Sequence, residues 1–205
     1  MKTRWTLALP LALALNLTPT ASTPALAGPA YADMTPAQKA VYDAVNIELK
    51  TVEDMLTAFK TVAEAKGGNL GDDAKKAWQD GKALHAEAKA LHDAGQYKDA
   101  YKKARDAYEA VKPAAAAVLA KDNVPKAVVD ACAARIQATA EEINALADQV
   151  KGHADANGHY KAAKDLHADA KALWKDGKRE DGFLKNHDAT KEFDAAIYAV
   201  WPEAW

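Results

Sequence analysis

Leu84-His85-Ala86-Glu87-Ala88-Lys89-Ala90-Leu91 returns as Leu166-His167-Ala168-Asp169-Ala170-Lys171-Ala172-Leu173, with a single conservative change, Glu87 to Asp169. Leucines, alanines and charges alternate here at the three- and four-residue steps of an amphipathic helix. Repetition of such a segment points to a repeated helical unit. Flanking segments follow the same pattern. Ala40-Val41-Tyr42-Asp43-Ala44 matches Ala127-Val128-Val129-Asp130-Ala131, and in that register Val45 meets Cys132, Leu49 meets Ile136 and Leu56 meets Ile143. Further on, Ala100, Ala104, Ala107 and Pro113 are paired with Ala189, Phe193, Ala196 and Pro202. The three offsets are 87, 82 and 89 residues, and differences in loop length account for them.

The expected fold is therefore all-α: a six-helix antiparallel bundle made of two duplicated three-helix units, 33–121 and 122–205, packed about a pseudo-twofold axis. Thr35-Pro36-Ala37-Gln38 is a helix start with a capping box, and Gly67-Gly68 is its stop. The second helix runs from Asp72 to Gly95, and the third from about Gln96 to a kink or end at Pro113, with an alanine-rich extension to about Ala120. A fourth helix opens at Asn123-Val124-Pro125 and breaks at Asn157-Gly158. The fifth spans about His159 to Asp176, and a charged, glycine-bearing loop from Gly177 to about Leu184 precedes a sixth from about Asn186 to Val200.

The chain starts with a pattern that reads as a signal peptide over residues 1–32. Lys2 and Arg4 precede an apolar run, Leu7 to Leu17, that is shorter than the about 20 residues a membrane span needs. Cleavage is expected after Ala27 or, preferably, Ala32, which leaves a single helical domain from residue 33 to 205 without a membrane span. Location is then periplasmic or secreted. The whole chain carries 27 basic and 29 acidic residues, a net charge of −2 that argues against nucleic acid as a partner. One cysteine, Cys132, allows no internal disulfide, and its place on an apolar stripe reads as core.

Residues 81–113 resemble one tetratricopeptide repeat, through Leu84, Ala88, Leu91, Gly95, Tyr97, Ala100, Ala104, Ala107 and the closing Pro113. That resemblance implies a helical hairpin and a protein or peptide partner. Helices mixing Ala, His and acids also resemble small His-rich periplasmic metal-binding bundles, which implies a divalent transition-metal ion. The metal candidates are His85, His92 and Glu87 in one copy and His167 and Asp169 in the other. Imidazoles with one or two carboxylates suit Zn, Cu or Ni. His153 and His159 flank a loop that adds a carboxylate, Asp155. The aromatic candidates for a ligand or partner groove are Trp78, Tyr97, Tyr101, Tyr160 and Trp174. No catalytic triad, phosphate loop or paired acidic motif is present, and the helix carboxylates read as a solvated face. The expectation is a non-enzymatic exported binding or interaction protein, with a metal buffer or carrier as the alternative.

Overall fold

The computed structural model describes residues 29–65 and 71–201. The signal-like segment up to residue 28, the Gly67-Gly68 stop, Pro202 and Trp205 lie outside the described residues. Six helices form an all-α bundle: α1 (Pro36–Ala65), α2 (Asp72–Asp93), α3 (Tyr97–Leu119), α4 (Lys126–Leu146), α5 (Ala154–Lys175) and α6 (Arg179–Ala199). A short 3₁₀ turn, Tyr31–Asp33, precedes α1. No described helix is long and apolar enough to cross a membrane.

The start of α1 follows its sequence signal. Gln38 N–H donates to Thr35 Oγ1 at 3.2 Å while Thr35 N–H donates to Gln38 Oε1 at 2.9 Å, the reciprocal pair of a capping box. Helices α2 and α3 form one tight hairpin, α5 and α6 another, and α1 and α4 pack antiparallel between them. Both hairpins turn in the same way. Gly95 and Gly177 adopt φ of +73° and +80°, a region that favours glycine. The next residue's N–H then reaches back to the preceding helix, from Gln96 to Leu91 O at 2.9 Å and from Lys178 to Leu173 O at 3.0 Å.

This turn corrects the expected loop from Gly177 to Leu184, because α6 already begins at Arg179. Gly182, read there as a loop residue, is buried inside the helix. A Cβ on it would stand 2.9 Å from Ala170 O and Trp174 N, so its missing side chain is what lets α6 approach α5. The register of the last helices changes accordingly. Buried Gly182, Phe183, Asn186, His187, Thr190 and Phe193 lie 82 residues after buried Ala100, Tyr101, Ala104, Arg105, Tyr108 and Val111, replacing the expected offset of 89. Buried positions of α1 and α4 recur at a spacing of 87, as in Val41 with Val128 and Phe59 with Leu146.

One further boundary moves. Helix α4 ends at Leu146, and Asn157-Gly158, expected as the break, lie inside α5, where Asn157 N–H already donates to His153 O at 2.9 Å. Helix α3 runs through Pro113 to Leu119, in line with the expected alanine-rich extension, because Ala114, Ala115, Ala116 and Leu119 are packed into the core beyond the exposed proline.

Large apolar side chains gather in two clusters at opposite ends of α1. One holds Phe59, Met55, Tyr108, Val111 and Phe183, with Trp78 and Trp174 against it. The other holds Val41, Val45, Tyr101, Leu146, Phe193 and Ile197, with Tyr97, Tyr160 and Trp201 against it. Between the two lies a layer of charge.

Candidate functional site

The sequence candidates are distributed over both ends of the bundle. His85 is buried and donates from Nε2 to Leu49 O at 3.0 Å. His167 is equally buried and bonds through Nδ1 to Asn186 Oδ1 at 3.1 Å. An amide oxygen only accepts, so that nitrogen carries the ring proton. Burial, with help from Lys171 and Arg135, holds His167 below the usual imidazole range against the pull of Asn186. His92 packs into an aromatic group with Tyr42 and Tyr97, at ring separations of 5.4 and 5.3 Å. Glu87 pairs with Lys103 at 3.3 Å, and Asp169 is exposed. His153 lies at the N-cap of α5, and His159 pairs with Glu192 at 2.7 Å. Among the described residues no group of three or more His, Cys, Asp or Glu side chains is placed to hold a metal ion.

The aromatic candidates separate as well. Trp78 donates its indole N–H to Leu56 O at 3.1 Å and lies under Lys82. Tyr160 lies under Lys164 at the other end, and Trp174 borders the cluster around Phe183. Tyr97 is half-buried, whereas Tyr101 is fully buried, which removes it from any surface groove. Its hydroxyl takes part in the central charge layer.

That layer was not legible as a site. Glu48 of α1, Arg135 and Glu142 of α4 are 0 % exposed, and Arg105 of α3 is 7 % exposed. Glu48 and Glu142 thus correct the reading of the helix carboxylates as a solvated face. Glu48 Oε2 accepts from both guanidiniums, from Arg135 Nη1 at 2.6 Å and from Arg105 Nη1. Arg105 also donates from Nε to Asp194 Oδ1 of α6 at 2.8 Å, and its Nη2 reaches Tyr101 Oη at 2.6 Å and Glu142 at 3.4 Å. Tyr101 in turn donates to Asp194 Oδ1 at 2.6 Å. Arg135 Nη2 donates to Thr190 Oγ1 at 3.1 Å and stands 3.6 Å from Glu142 Oε2. Each guanidinium also lies over a tyrosine ring, Arg105 on Tyr101 and Arg135 on Tyr108, at 4.9 and 4.8 Å.

The electrostatics follow from burial. Desolvation pushes the Glu48 carboxyl up to about 7, against the pull of Arg105 and Arg135, and Glu142 and Asp194 add to the rise. Asp194 is raised for the same leading reason. Burial would lower both arginines, but the neighbouring carboxylates more than offset it and hold them fully charged. Cys132 is buried with its thiol pushed up to about 12 by desolvation, which suits packing and opposes nucleophilic chemistry.

The opposite faces of α1 and α4 are open. Asn46, Ile47, Lys50, Thr51 and Asp54 of α1 border Ala134, Gln137, Ala138 and Glu141 of α4. The hollow continues past Asp54 and Ala134 between Thr57, Ala58, Thr61 and Ala127, Asp130, Ala131. From Asn46 to Thr61 the groove runs about 22 Å at the helical rise per residue. Its floor is alanine and threonine, and its rims carry Lys50, Asp54, Asp130 and Glu141. Sequence reasoning missed it because small residues on a helix face give no chemical signal.

No protein-family model matches this chain, and neither a curated protein nor a solved structure matches it.

Proposed function

We propose that this is a non-enzymatic exported binding protein that receives a helical segment of a partner protein in the groove between α1 and α4. The observation that carries this reading is the groove itself. It is long enough for about four helical turns, and its alanine floor admits the close approach of another backbone. The rims carry charge of both signs, with Asp54 paired to Lys50 and Asp130 to Lys126 at 2.5 Å, and Glu141 adds one further acid, which favours a basic residue on the partner helix near it. Export is read from the N-terminal sequence pattern, Lys2 and Arg4 followed by Leu7 to Leu17. The two-copy origin of the chain is supported by the common spacing of buried positions between the halves, and α1 and α4 are the members of the two units that face each other across the groove.

A photo-crosslinking residue at Ala134, exposed in the groove, is compared with one at Lys89, exposed on α2 away from it. Both full-length variants are produced in the native organism and irradiated in intact cells. The expected outcome is one discrete protein adduct from position 134, absent from position 89 and lost when Asp54 and Glu141 are changed to Lys. Equal adducts at both positions, or none at 134, would overturn the assignment.

A further inference from the structure

Two fully buried carboxyl groups, Glu48 and Glu142, and a third at the edge of the layer, Asp194 with its side chain 21 % exposed, face two guanidinium groups, Arg105 and Arg135. With every group ionised the cluster would hold an uncompensated negative charge between two apolar clusters. We propose that this cluster holds one dissociable proton on Glu48, and that losing the proton loosens the junction of α1, α3, α4 and α6.

Among the described residues, the groups facing the cluster add no further cation. From α3 the facing groups are Arg105, Tyr101 and Tyr108, and burial keeps both phenols protonated. From α4 they are Arg135 and Glu142, and from α6 Asp194 and the hydroxyl of Thr190. On α2, His85 donates to the Leu49 carbonyl rather than to a carboxylate. On α5, His167 is turned to Asn186 and held below its usual range. His187 of α6 is bonded to Lys112 and packs its ring against Tyr108.

The hydrogen bonding also points to a place for the proton. Glu48 Oε2 takes both arginines, while Oε1 is buried with no hydrogen-bond partner. Oε1 is therefore the oxygen free to carry it. Desolvation pushing this carboxyl up to about 7 places the release near neutrality. A carboxyl raised in the folded state binds its proton more tightly there than in the unfolded chain. Its contribution to stability is present in acid and lost as pH rises from the ordinary carboxylate range to the folded value. His167 and His187, both held low in the folded state, have the opposite slope in acid, so a difference between proteins is needed to isolate the carboxyl.

Glu48→Gln balances the cluster at two positive and two negative groups while keeping its shape. Urea unfolding of wild type and E48Q is measured from pH 5 to 9, together with carbon-13 carboxyl titration and amide exchange of the wild type. The folding equilibrium constant of E48Q relative to wild type should rise by up to about tenfold per pH unit through the titration and then level off. The Glu48 carboxyl should titrate between pH 6 and 8. Protection of the central α1 and α4 amides should fall over the same interval. A constant ratio across the range, or ionisation of Glu48 below pH 5.5, would overturn the proposal. Should E48Q fail to fold, the wild-type carboxyl titration and exchange data decide it alone.

Discussion

Glu48 of α1 and Arg135 of α4, 87 residues apart in the chain, meet at 2.6 Å in the fully buried centre of the bundle. That separation equals the spacing at which buried positions of α1 recur in α4, so positions matched by it carry opposite charges and face each other. Two identical residues at those positions would repel. The pair therefore favours one pairing of α1 with α4 over any pairing of like helices, a discrimination of the kind buried polar groups supply in helix assemblies.

Arg135→Met tests how much of the structure rests on this contact. The substitution keeps a long apolar chain over the Tyr108 ring but leaves Glu48 and Glu142 with Arg105 alone. Stability is expected to fall by about 3–5 kcal/mol, the cost of an uncompensated buried charge. Urea unfolding near pH 8 measures it. A second substitution, Glu142→Gln, made on top of R135M should recover part of the loss, because the cluster again approaches balance.

The helix count and most inner stripes were legible because alanine, leucine and valine recur at helical steps, as at Val41, Val45, Val52 and Phe59. What periodicity could not give was the identity of the buried face where it is polar. Glu48 follows Val41 and Val45 at helical spacing on the same face, and Arg135 follows Val128 and Cys132 in the same way. Read by residue type, both leave the core; read by position, both belong in it. The same distinction explains Gly182. Glycine in a charged segment reads as a loop until a neighbouring helix is seen to occupy the place of its side chain.

Two glycines therefore separate packing from propensity. Gly182→Ala places a methyl against the backbone of Ala170 and Trp174, which cannot move without shifting α5. It should cost about 1–3 kcal/mol. Gly158→Ala, the fifth residue of α5 with nothing within 4 Å of the new methyl, should leave stability unchanged or raise it by up to about 1 kcal/mol. Thermal unfolding of both variants beside wild type gives the answer, and similar effects of the two would contradict the close-approach role of Gly182.

Cys132 supplies a reporter of opening. Its side chain is 1 % exposed and its thiol is pushed up to about 12, so the native protein should react with a thiol reagent at pH 8 far more slowly than the urea-unfolded chain. Labelling should track unfolding, and in R135M it should accelerate in proportion to the loss of stability. Rapid modification of the folded wild type would place this thiol outside the core.

The acid limb of stability should belong to His187. Its Nε2 accepts from the Lys112 ammonium at 2.9 Å and the residue is 4 % exposed, so the ring is neutral in the folded protein. Burial lowers it to about 4, with Glu109 opposing and Lys112 and Lys191 assisting. The unfolded chain, with an ordinary imidazole near 6.5, then binds the proton first. Stability from this residue is complete above about pH 6.5 and falls, by up to about 1.4 kcal/mol per unit, as pH drops toward 4. His187→Gln keeps an acceptor for Lys112 without titrating. The free-energy difference between wild type and H187Q should therefore fall as pH drops over that interval, a slope opposite in sign to the one expected from Glu48. Parallel curves for the two proteins would mean that His187 binds its proton equally in the folded and unfolded states.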